Sequence, residues 1–375
     1  MFRAWSALLI LSLAGADAAQ SREFLRGADV SFLPQVEAGG GVFRDDGAPT
    51  DLFALLRSRG LNSIRLRLWH SPENGHSGLA EALSLADRAH AAGFDLMLDL
   101  HYSDTWADPS NQSKPAEWAQ LPMAALADSV RAYTRDTLLA FVDRGVPPAI
   151  VQLGNEIGSG TLWNDGRVGR SFDTPMQWMS LAALLQAATA GVREAFPDGA
   201  RPEIMIHIDR GGDNEGARWF YDNLAARGVD FDLIGLSFYP WWHGTLADLQ
   251  LNLKDLALRY DKDIVVVETA YPWTQESFDD LANLVGPADP LLPGFPASPE
   301  GQHAFLAVLL DLVQQVPGGR GRGVYWWAPE WICTPTLPSA YDNLTLFDEN
   351  GNALPALRAW SATPPPPRTG DPRPR

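Results

Sequence analysis

Short apolar runs alternate with longer amphipathic segments along most of the chain. The runs are typical of buried strands, and the stretch SIRLRL at Ser63–Leu68 adds the two-residue period that indicates a strand. The longer segments carry apolar residues at helical spacing, and the segment at residues 79–92 stops at Gly93, a helix-ending residue. The pattern predicts strands at residues 26–31, 63–68, 95–100, 150–153, 203–207, 233–237, 264–267 and 323–326. It predicts helices at residues 51–58, 79–92, 123–144, 178–196, 217–227, 246–260 and 299–316.

Regular alternation of strands and helices predicts the α/β class. Connections through a helix make neighbouring strands parallel, and eight such strands close into a single (β/α)8 TIM barrel. The 375 residues suffice for one barrel of this kind or for two ordinary domains, and the alternation runs without an internal break. Hydrophobic residues make up 46% of the chain, enough for a full core. We therefore expect one barrel domain at residues 19–361.

The two ends of the chain differ in composition from the barrel region. Arg3, the apolar residues 4–14 and the sequence Ala16-Asp17-Ala18 are together typical of a secretory signal peptide, which we place at residues 1–18. We therefore expect the protein to be secreted or periplasmic. Residues 362–375 are rich in proline and predict a disordered tail.

The charge balance narrows the range of partners. The formal net charge is −17, which disfavours nucleic acid and anionic membranes and favours a neutral or cationic substrate. The apolar stretch near the N-terminus is too short to span a membrane, and no other segment of the sequence qualifies. The 14 tryptophans offer flat apolar faces that suit the C–H faces of sugars. We expect a polysaccharide substrate and a monomeric protein.

Polar and aromatic residues cluster just after the predicted strands, whereas the helix-to-strand connections are short and contain few such residues. Glu156 follows the strand at residues 150–153, and Glu268 follows the strand at residues 264–267. The carboxyl ends of barrel strands converge on one face, where barrel enzymes place their reactive groups. Two carboxylates facing each other there are the minimum for cleaving a glycosidic bond with retention. A glutamate at a strand end can also cap a helix or form a structural ion pair.

Several stretches carry a resemblance to a known family: LNSIRLR (61–67), LDLHYSDTWADP (98–109), GNEI (154–157), IMIHID (204–209), SFYP (237–240), VVVET (265–269) and GVYWW (323–327). They resemble the endo-β-1,4-galactanases of glycoside hydrolase family 53, and HYSDTWADP is the most specific of them. The resemblance implies a secreted barrel hydrolase that cuts galactan and arabinogalactan side chains of pectin by a two-glutamate double displacement. One departure follows the last strand, where the family reads YWEPAW and residues 326–331 read WWAPEW.

The resemblance and the chemistry together give the two glutamates different roles. Glu156 is the expected general acid/base and must carry a proton, so burial or a nearby negative charge must raise its pKa. Glu268 is the expected nucleophile and must stay ionised, and its charge could raise the pKa of Glu156 in turn. Arg65 and Tyr239 are the partners of Glu268 that the resemblance implies. Asn155 is expected to bond the 2-hydroxyl beside the scissile carbon, with a turn role as the alternative.

Further residues are candidate sugar contacts. They are His101, Asp104, Trp106, His207, Asp209, Trp241, Trp326 and Asp342. We expect His101 and His207 to be hydrogen-bonding groups around the two glutamates, because no spacing of His, Cys or Asp indicates zinc. Trp326, which ends the last strand, is the expected floor beneath the cleaved sugar. Asp342 is equally consistent with a sugar contact and with a turn.

No cofactor is expected for the chemistry, and we assign no residue to a metal. A structural calcium ion is one interpretation of the long loop at residues 274–297, where Asp279, Asp280 and Asp289 are hard oxygen ligands. Solvated loop acids are the other interpretation. Cys333 is the only cysteine, so an internal disulfide is impossible.

Three other functions are compatible with parts of the sequence. Another retaining barrel glycosidase, such as a β-mannanase or a cellulase, would share the glutamate pair, but HYSDTWADP argues for a galactanase. A non-catalytic carbohydrate-binding barrel predicts the loss of one glutamate, and both are present. A nucleotide or phosphate enzyme is disfavoured because the sequence has no glycine-rich phosphate loop.

Overall fold

The computed structural model describes residues 23–197 and 199–361. The predicted signal peptide at residues 1–18 and the predicted tail at residues 362–375 lie outside the described residues. Within the described part of the chain, no helix is both long enough and apolar enough to cross a membrane.

Eight parallel strands close into a barrel in which each strand pairs with its neighbours along the chain and the first pairs with the last. They are β1 (Leu25–Asp29), β2 (Ser63–Leu68), β3 (Asp95–Leu100), β4 (Ile150–Leu153), β5 (Glu203–Ile208), β6 (Leu233–Ser237), β7 (Asp263–Thr269) and β8 (Gly321–Trp327). Each predicted strand is present, and the predicted (β/α)8 barrel is confirmed.

Helices surround the barrel and connect its strands. They are α1 (Leu33–Ala38), α2 (Leu52–Ser58), α3 (Leu79–Ala91), α4 (Met123–Asp143), α5 (Pro175–Ala195), α6 (Asn214–Ala225), α7 (Pro240–His243), α8 (Leu246–Tyr260) and α9 (Pro299–Gln314). The helix α6 begins earlier than predicted because Asp213 caps it, its side chain accepting a bond from the N–H of Gly216. The short helix α7, directly after β6, was not predicted.

Side chains of the strands alternate between two apolar layers. Eight meet inside the barrel, namely Leu25, Met97, Ile150, Met205, Leu233, Val265, Val267 and Tyr325. The intervening residues, such as Ile64 and Leu68 on β2, pack under the helices. Nearer the carboxyl ends the inward positions become polar, and Arg65 contacts Asp29 and Asp99 on the two neighbouring strands. The polar side chains are therefore concentrated at the carboxyl end.

A β-bulge in β7 sets the direction of one glutamate. Leu236 on β6 pairs with Val266, but the next residue, Ser237, pairs with Glu268, so Val267 is an extra residue. Strict alternation would put Glu268 on the same side as Val266, under the helices. The bulge instead brings Glu268 to the barrel mouth beside Ser237, a common use of bulges at functional sites.

Candidate active site

A cleft crosses the carboxyl end of the barrel and has two arms that meet at Glu156. The first arm, about 310 Å³, is lined by both Glu156 and Glu268, and we call it the two-glutamate arm. The second, about 680 Å³, is lined by Glu156 without Glu268, and we call it the Glu156 arm. Asp108 and Trp242 also line both arms, so the arms form one continuous cleft.

Glu268 is buried at the end of β7 and is held by two donors. Nη1 of Arg65 lies 2.8 Å from Oε1, and the Tyr239 hydroxyl donates to Oε2 at 3.1 Å. Burial raises the pKa of Glu268 to about 7, and Arg65 and Tyr239 oppose that rise. The two donors therefore favour the ionised form of this carboxyl group.

Arg65 is a buried cation that offsets negative charge in this part of the barrel. It is 1% exposed, and its Nη1 donates to Asp29 at 2.8 Å while its Nη2 donates to Asp99 and to the amide oxygen of Asn155, each at 2.8 Å. Burial by itself would lower the pKa of Arg65, but Asp99, Glu268 and Asp29 raise it overall. The guanidinium therefore stays charged, and its partners fix its position.

Glu156 follows β4 in a left-handed backbone conformation, with φ 48° and ψ 47°. Its Oε1 accepts a hydrogen bond from the Ser237 hydroxyl at 2.6 Å. Burial raises the pKa of Glu156 well above its usual value, and the nearby charges of Glu268 and Asp209 raise it further. Glu156 has a hydroxyl donor where Glu268 has a guanidinium, so of the two glutamates Glu156 keeps its proton to the higher pH.

Two buried histidines orient the groups around the glutamates. His207 accepts the N–H of Glu156 at Nδ1, at 3.3 Å, so Nε2 carries the proton and donates to the Ser237 hydroxyl at 2.8 Å. Burial lowers the pKa of His207 well below its usual value and keeps the ring neutral. His101 accepts a backbone N–H at Nδ1, and its Nε2 lies 2.9 Å from Asp99.

The structure brings many of the predicted site residues into one arm of the cleft. Those lining the two-glutamate arm are Arg65, His101, Trp106, Asn155, Glu156, Tyr239 and Glu268. Asn155 is fixed in the wall because its amide donates to a backbone carbonyl at 2.8 Å. Asp209 lines the Glu156 arm, and His207 supports Glu156 from behind through its backbone N–H.

Two tryptophans are placed differently from the prediction. Trp326 is 0% exposed, and its indole N–H donates to a backbone carbonyl at 3.0 Å. Tyr325 points into the barrel, so alternation turns Trp326 outward under the helices and brings Trp327 to the cleft. Trp241 packs half-buried against the core, whereas Trp242, 57% exposed, lines both arms. Trp327 and Trp242 therefore face the cleft in place of Trp326 and Trp241.

Asp104 and Asp342, also predicted as sugar contacts, are turned toward loops. Asp104 accepts the backbone N–H of Ser71 at 3.0 Å and of Ala116 at 2.8 Å. Asp342 is 2% exposed and accepts the N–H of Phe278 at 2.8 Å. Both carboxylates hold loop backbone in place, which corrects the predicted role of Asp104 and favours the turn role for Asp342.

The sequence model of glycosyl hydrolase family 53 matches the chain over residues 25–360. The chain belongs to glycosyl hydrolase family 53. It is accordingly a glycoside hydrolase. It is 35% identical to the arabinogalactan endo-β-1,4-galactanase of Cellvibrio japonicus, in a match that covers 95% of this chain and 96% of that protein.

Solved structures of family 53 members are similar over most of the chain. The catalytic domain from Ignisphaera aggregans has a TM-score of 0.82 and 36% identity, covering 90% of this chain and 95% of that one. A fungal β-1,4-galactanase has a TM-score of 0.79 and 32% identity, covering 90% of this chain and 99% of that one. The barrel described above is thus shared by solved members of the family.

An aromatic wall in the two-glutamate arm was missed by sequence reasoning. Trp327, Trp331 and Tyr341 line it. The rings of Trp331 and Tyr341 are nearly parallel, with an interplanar angle of 9° and centroids 5.8 Å apart. Trp331 also stacks on Phe32 at 3.8 Å. Strand alternation could have located Trp327, but Trp331 and Tyr341 lie in irregular segments without a period.

The departure of this chain from the family pattern at residues 326–331 lies behind that wall. Glu330 is completely buried, and its Oε1 accepts the N–H of Phe32 at 2.9 Å. Burial raises the pKa of Glu330 to about 8. The carboxyl group of Glu330 therefore holds the backbone at Phe32 and does not line the cleft.

One group of metal-ligating side chains occurs in the described part of the chain. Asp279, Cys333 and Asp342 each offer one ligand atom, all within 4.8 Å of one another. Both oxygens of Asp279 already accept backbone N–H groups. A thiol and two carboxylates supply fewer oxygens than the roughly six to eight that calcium takes. Asp280 and Asp289, the other two acids of the long loop considered for calcium, lie outside this group.

Proposed function

We propose that this family 53 hydrolase is a retaining endo-β-1,4-galactanase acting on the galactan and arabinogalactan side chains of pectin. The names of the relative from Cellvibrio japonicus and of the solved fungal enzyme support β-1,4-galactan as the substrate. The observation that carries the proposed reaction is the unequal environment of Glu156 and Glu268 within one cleft.

Two glutamates with different proton affinities can divide the roles of acid and nucleophile. Glu268 has Arg65 and Tyr239 as donors and a pKa of about 7, whereas burial and the charge of Glu268 hold the pKa of Glu156 higher. When the pair carries one proton, these environments favour ionised Glu268 and protonated Glu156. That is the state from which a double displacement starts.

In the first step the Glu268 carboxylate attacks the anomeric carbon of a galactosyl unit in the two-glutamate arm. Glu156 gives its proton to the glycosidic oxygen, the bond to the leaving chain breaks, and the galactosyl unit is held covalently on Glu268. The leaving chain occupies the Glu156 arm, because that arm contains the acid without the nucleophile.

In the second step Glu156, now ionised, takes a proton from a water molecule whose oxygen attacks the same carbon and displaces Glu268. Two inversions give net retention. Asn155 lies in the wall beside Arg65, and the amide N–H that is not bonded to the Ala107 carbonyl is proposed to bond the 2-hydroxyl. Trp327 offers an apolar face to the sugar that is cut.

The shape of the cleft supports cleavage within a chain. Its two arms extend to either side of Glu156, so sugars can be held on both sides of the broken bond. We propose that the protein acts as a monomer, since both glutamates and the lining of both arms come from one chain.

The first test is hydrolysis of linear β-1,4-galactan, with glucomannan and carboxymethyl-cellulose as control polymers and product sizing as the measurement. We expect short galacto-oligosaccharides from the wild type and none from Glu268→Ala. Glu330→Gln is the matched control, because it alters a buried glutamate outside the cleft. Activity on mannan or cellulose alone would refute the substrate while keeping the mechanism. Galactan binding without cleavage would favour a carbohydrate-binding protein.

Stereochemistry has a separate test. Proton NMR of the first products shows which anomer of the new reducing end forms before mutarotation. The β-anomer is expected, and initial formation of the α-anomer would exclude the double displacement while leaving the galactanase assignment intact.

Export and cofactor use are further parts of the proposal. We propose that residues 1–18 are removed as the protein enters the periplasm or the medium, so the mass of the exported protein should correspond to a start at Ala19. We propose that the chemistry needs no cofactor, because the two carboxylates and their protein donors suffice for both steps. We propose no calcium ion at the group of Asp279, Cys333 and Asp342, because it supplies too few oxygens, and thermal melting with and without calcium tests this.

A further inference from the structure

A third cavity continues the cleft beyond the Glu156 arm. It measures about 700 Å³, and we call it the basic pocket. It shares Pro109, Ser110, Asp209 and Arg210 with the Glu156 arm, so the two are contiguous. A glycan that extends from Glu156 on the leaving-group side would therefore enter the basic pocket.

Arg167 is presented in the wall of this pocket by two aromatic rings. Its guanidinium carbon lies 4.1 Å from the ring centroid of Trp163 and 4.6 Å from that of Phe172. The indole of Trp163 is itself fixed by a hydrogen bond to the Ser159 carbonyl at 3.0 Å. Among the residues that the structure describes, no carboxylate lies within ion-pair distance of Arg167. Its N–H groups are thus held in place and left for a ligand.

Two more arginines add to the positive charge of the pocket. Arg170 lines it and likewise has no acidic partner in the described ranges. Arg210 pairs with Asp213 at 2.6 Å, but its Nε is buried with no hydrogen-bond partner. This positive charge is local to the pocket, since the chain as a whole carries a net charge of −17.

The acidic side chains in the pocket only partly offset these arginines. Asp173 accepts a hydrogen bond from the indole of Trp178 at 2.7 Å, so one of its oxygens is occupied. Burial raises the pKa of Asp209, and the two aspartates face three arginines in the lining of the pocket. The remaining lining includes the ring of Trp219 and the hydroxyl of Ser171, groups suited to a sugar ring and its hydroxyls.

We propose that the basic pocket binds the carboxylate of a uronic acid carried by the substrate on the leaving-group side of the cleaved bond. Guanidinium groups bind carboxylates in a bidentate geometry, and Arg167 is fixed for that contact by Trp163 and Phe172. The inference rests on the proposed function, which places the leaving chain in the Glu156 arm. The ligand is a hexuronate attached, directly or through intervening sugars, to the reducing side of the galactan.

The test compares two substrates that differ only in the carboxyl groups. One is galactan still attached to its uronate-containing backbone, and the other is the same material after its carboxyl groups have been chemically reduced to alcohols. The readout is kcat/KM on the acidic substrate divided by kcat/KM on the reduced substrate. A loss of activity that affects both substrates equally does not change this ratio. At low salt we expect the wild type to prefer the acidic substrate by about tenfold, and the preference to shrink in about 0.5 M NaCl.

Arg167→Gln should bring that ratio close to one, and Arg170→Gln should lower it by a smaller factor. Arg144→Gln is the matched control, because it removes the same charge from an arginine that pairs with Asp87 on the outside of the barrel. A wild-type ratio of one, or a ratio unchanged by Arg167→Gln, would overturn the uronate site. Failure of the wild type to cut neutral linear galactan would instead refute the proposed function, so the two failures are distinguishable.

Discussion

Removal of the Tyr239 hydroxyl should shift the pH dependence of the reaction in a predictable direction. In Tyr239→Phe, Glu268 loses the hydrogen bond to Oε2 at 3.1 Å and keeps Arg65. That bond stabilises the ionised carboxylate, so its loss raises the pKa of Glu268 above the present value of about 7. A hydrogen bond to a charged group is worth about 1.5–3 kcal/mol, which corresponds to about one to two pKa units.

The assay is the pH profile of kcat/KM on linear galactan. The acid limb requires ionised Glu268, so it should move to higher pH, and activity near pH 6 should fall by about tenfold to a hundredfold. Tyr221→Phe is the control, because it removes a buried hydroxyl that donates to the Ile206 carbonyl at 2.9 Å, away from the glutamates. A uniform loss at every pH, with the acid limb unmoved, would refute the reasoning and indicate that Tyr239 acts by contacting the sugar.

Three further predictions concern the wall of the cleft and stability. Trp327→Ala should raise KM for galactan by about tenfold through lost apolar contact, with an unchanged circular dichroism spectrum; an unchanged KM would remove Trp327 from the substrate site. Burial raises the pKa of Glu330 from 4.5 to about 8, so its ionisation opposes folding increasingly from about pH 4.5 to about pH 8. Glu330→Gln should therefore raise Tm at pH 8 and leave it nearly unchanged at pH 4; equal shifts at both values would contradict this. Calcium should leave Tm of the wild type unchanged, because the group at Asp279 supplies too few oxygens; a rise in Tm that is lost in Asp279→Asn would contradict this.

The barrel could be predicted from sequence because each strand is a short apolar run followed by a segment of helical period. The inward direction of Arg65 was also readable, since polar and apolar residues alternate in β2. The run Val265-Val266-Val267-Glu268 has no such alternation, as is usual for a parallel strand buried on both faces. The bulge that turns Glu268 into the cleft therefore could not be predicted from the sequence. The position of Glu268 at a strand end could be predicted.

The direction of a side chain at the site was harder to predict than its place along the chain. Trp326 was assigned by its place at a strand end, but direction is set by alternation from Tyr325, which favours Trp327. Trp242 faces the cleft because of the four-residue helix α7, too short for a periodic signal. Asp342 depends on which loop backbone comes near it, and irregular loops leave no pattern in the sequence.

The backbone at Glu156 affects how this protein could be engineered. A left-handed conformation at a glutamate costs on the order of 1 kcal/mol or more, and asparagine adopts it more readily. Burying a carboxyl group that must ionise during turnover is a second cost at the same position. Replacing Glu156 with asparagine therefore relieves both costs while removing the acid. A library selected only for heat resistance would accumulate inactive variants at this position, so a search for more durable forms has to score turnover and melting together.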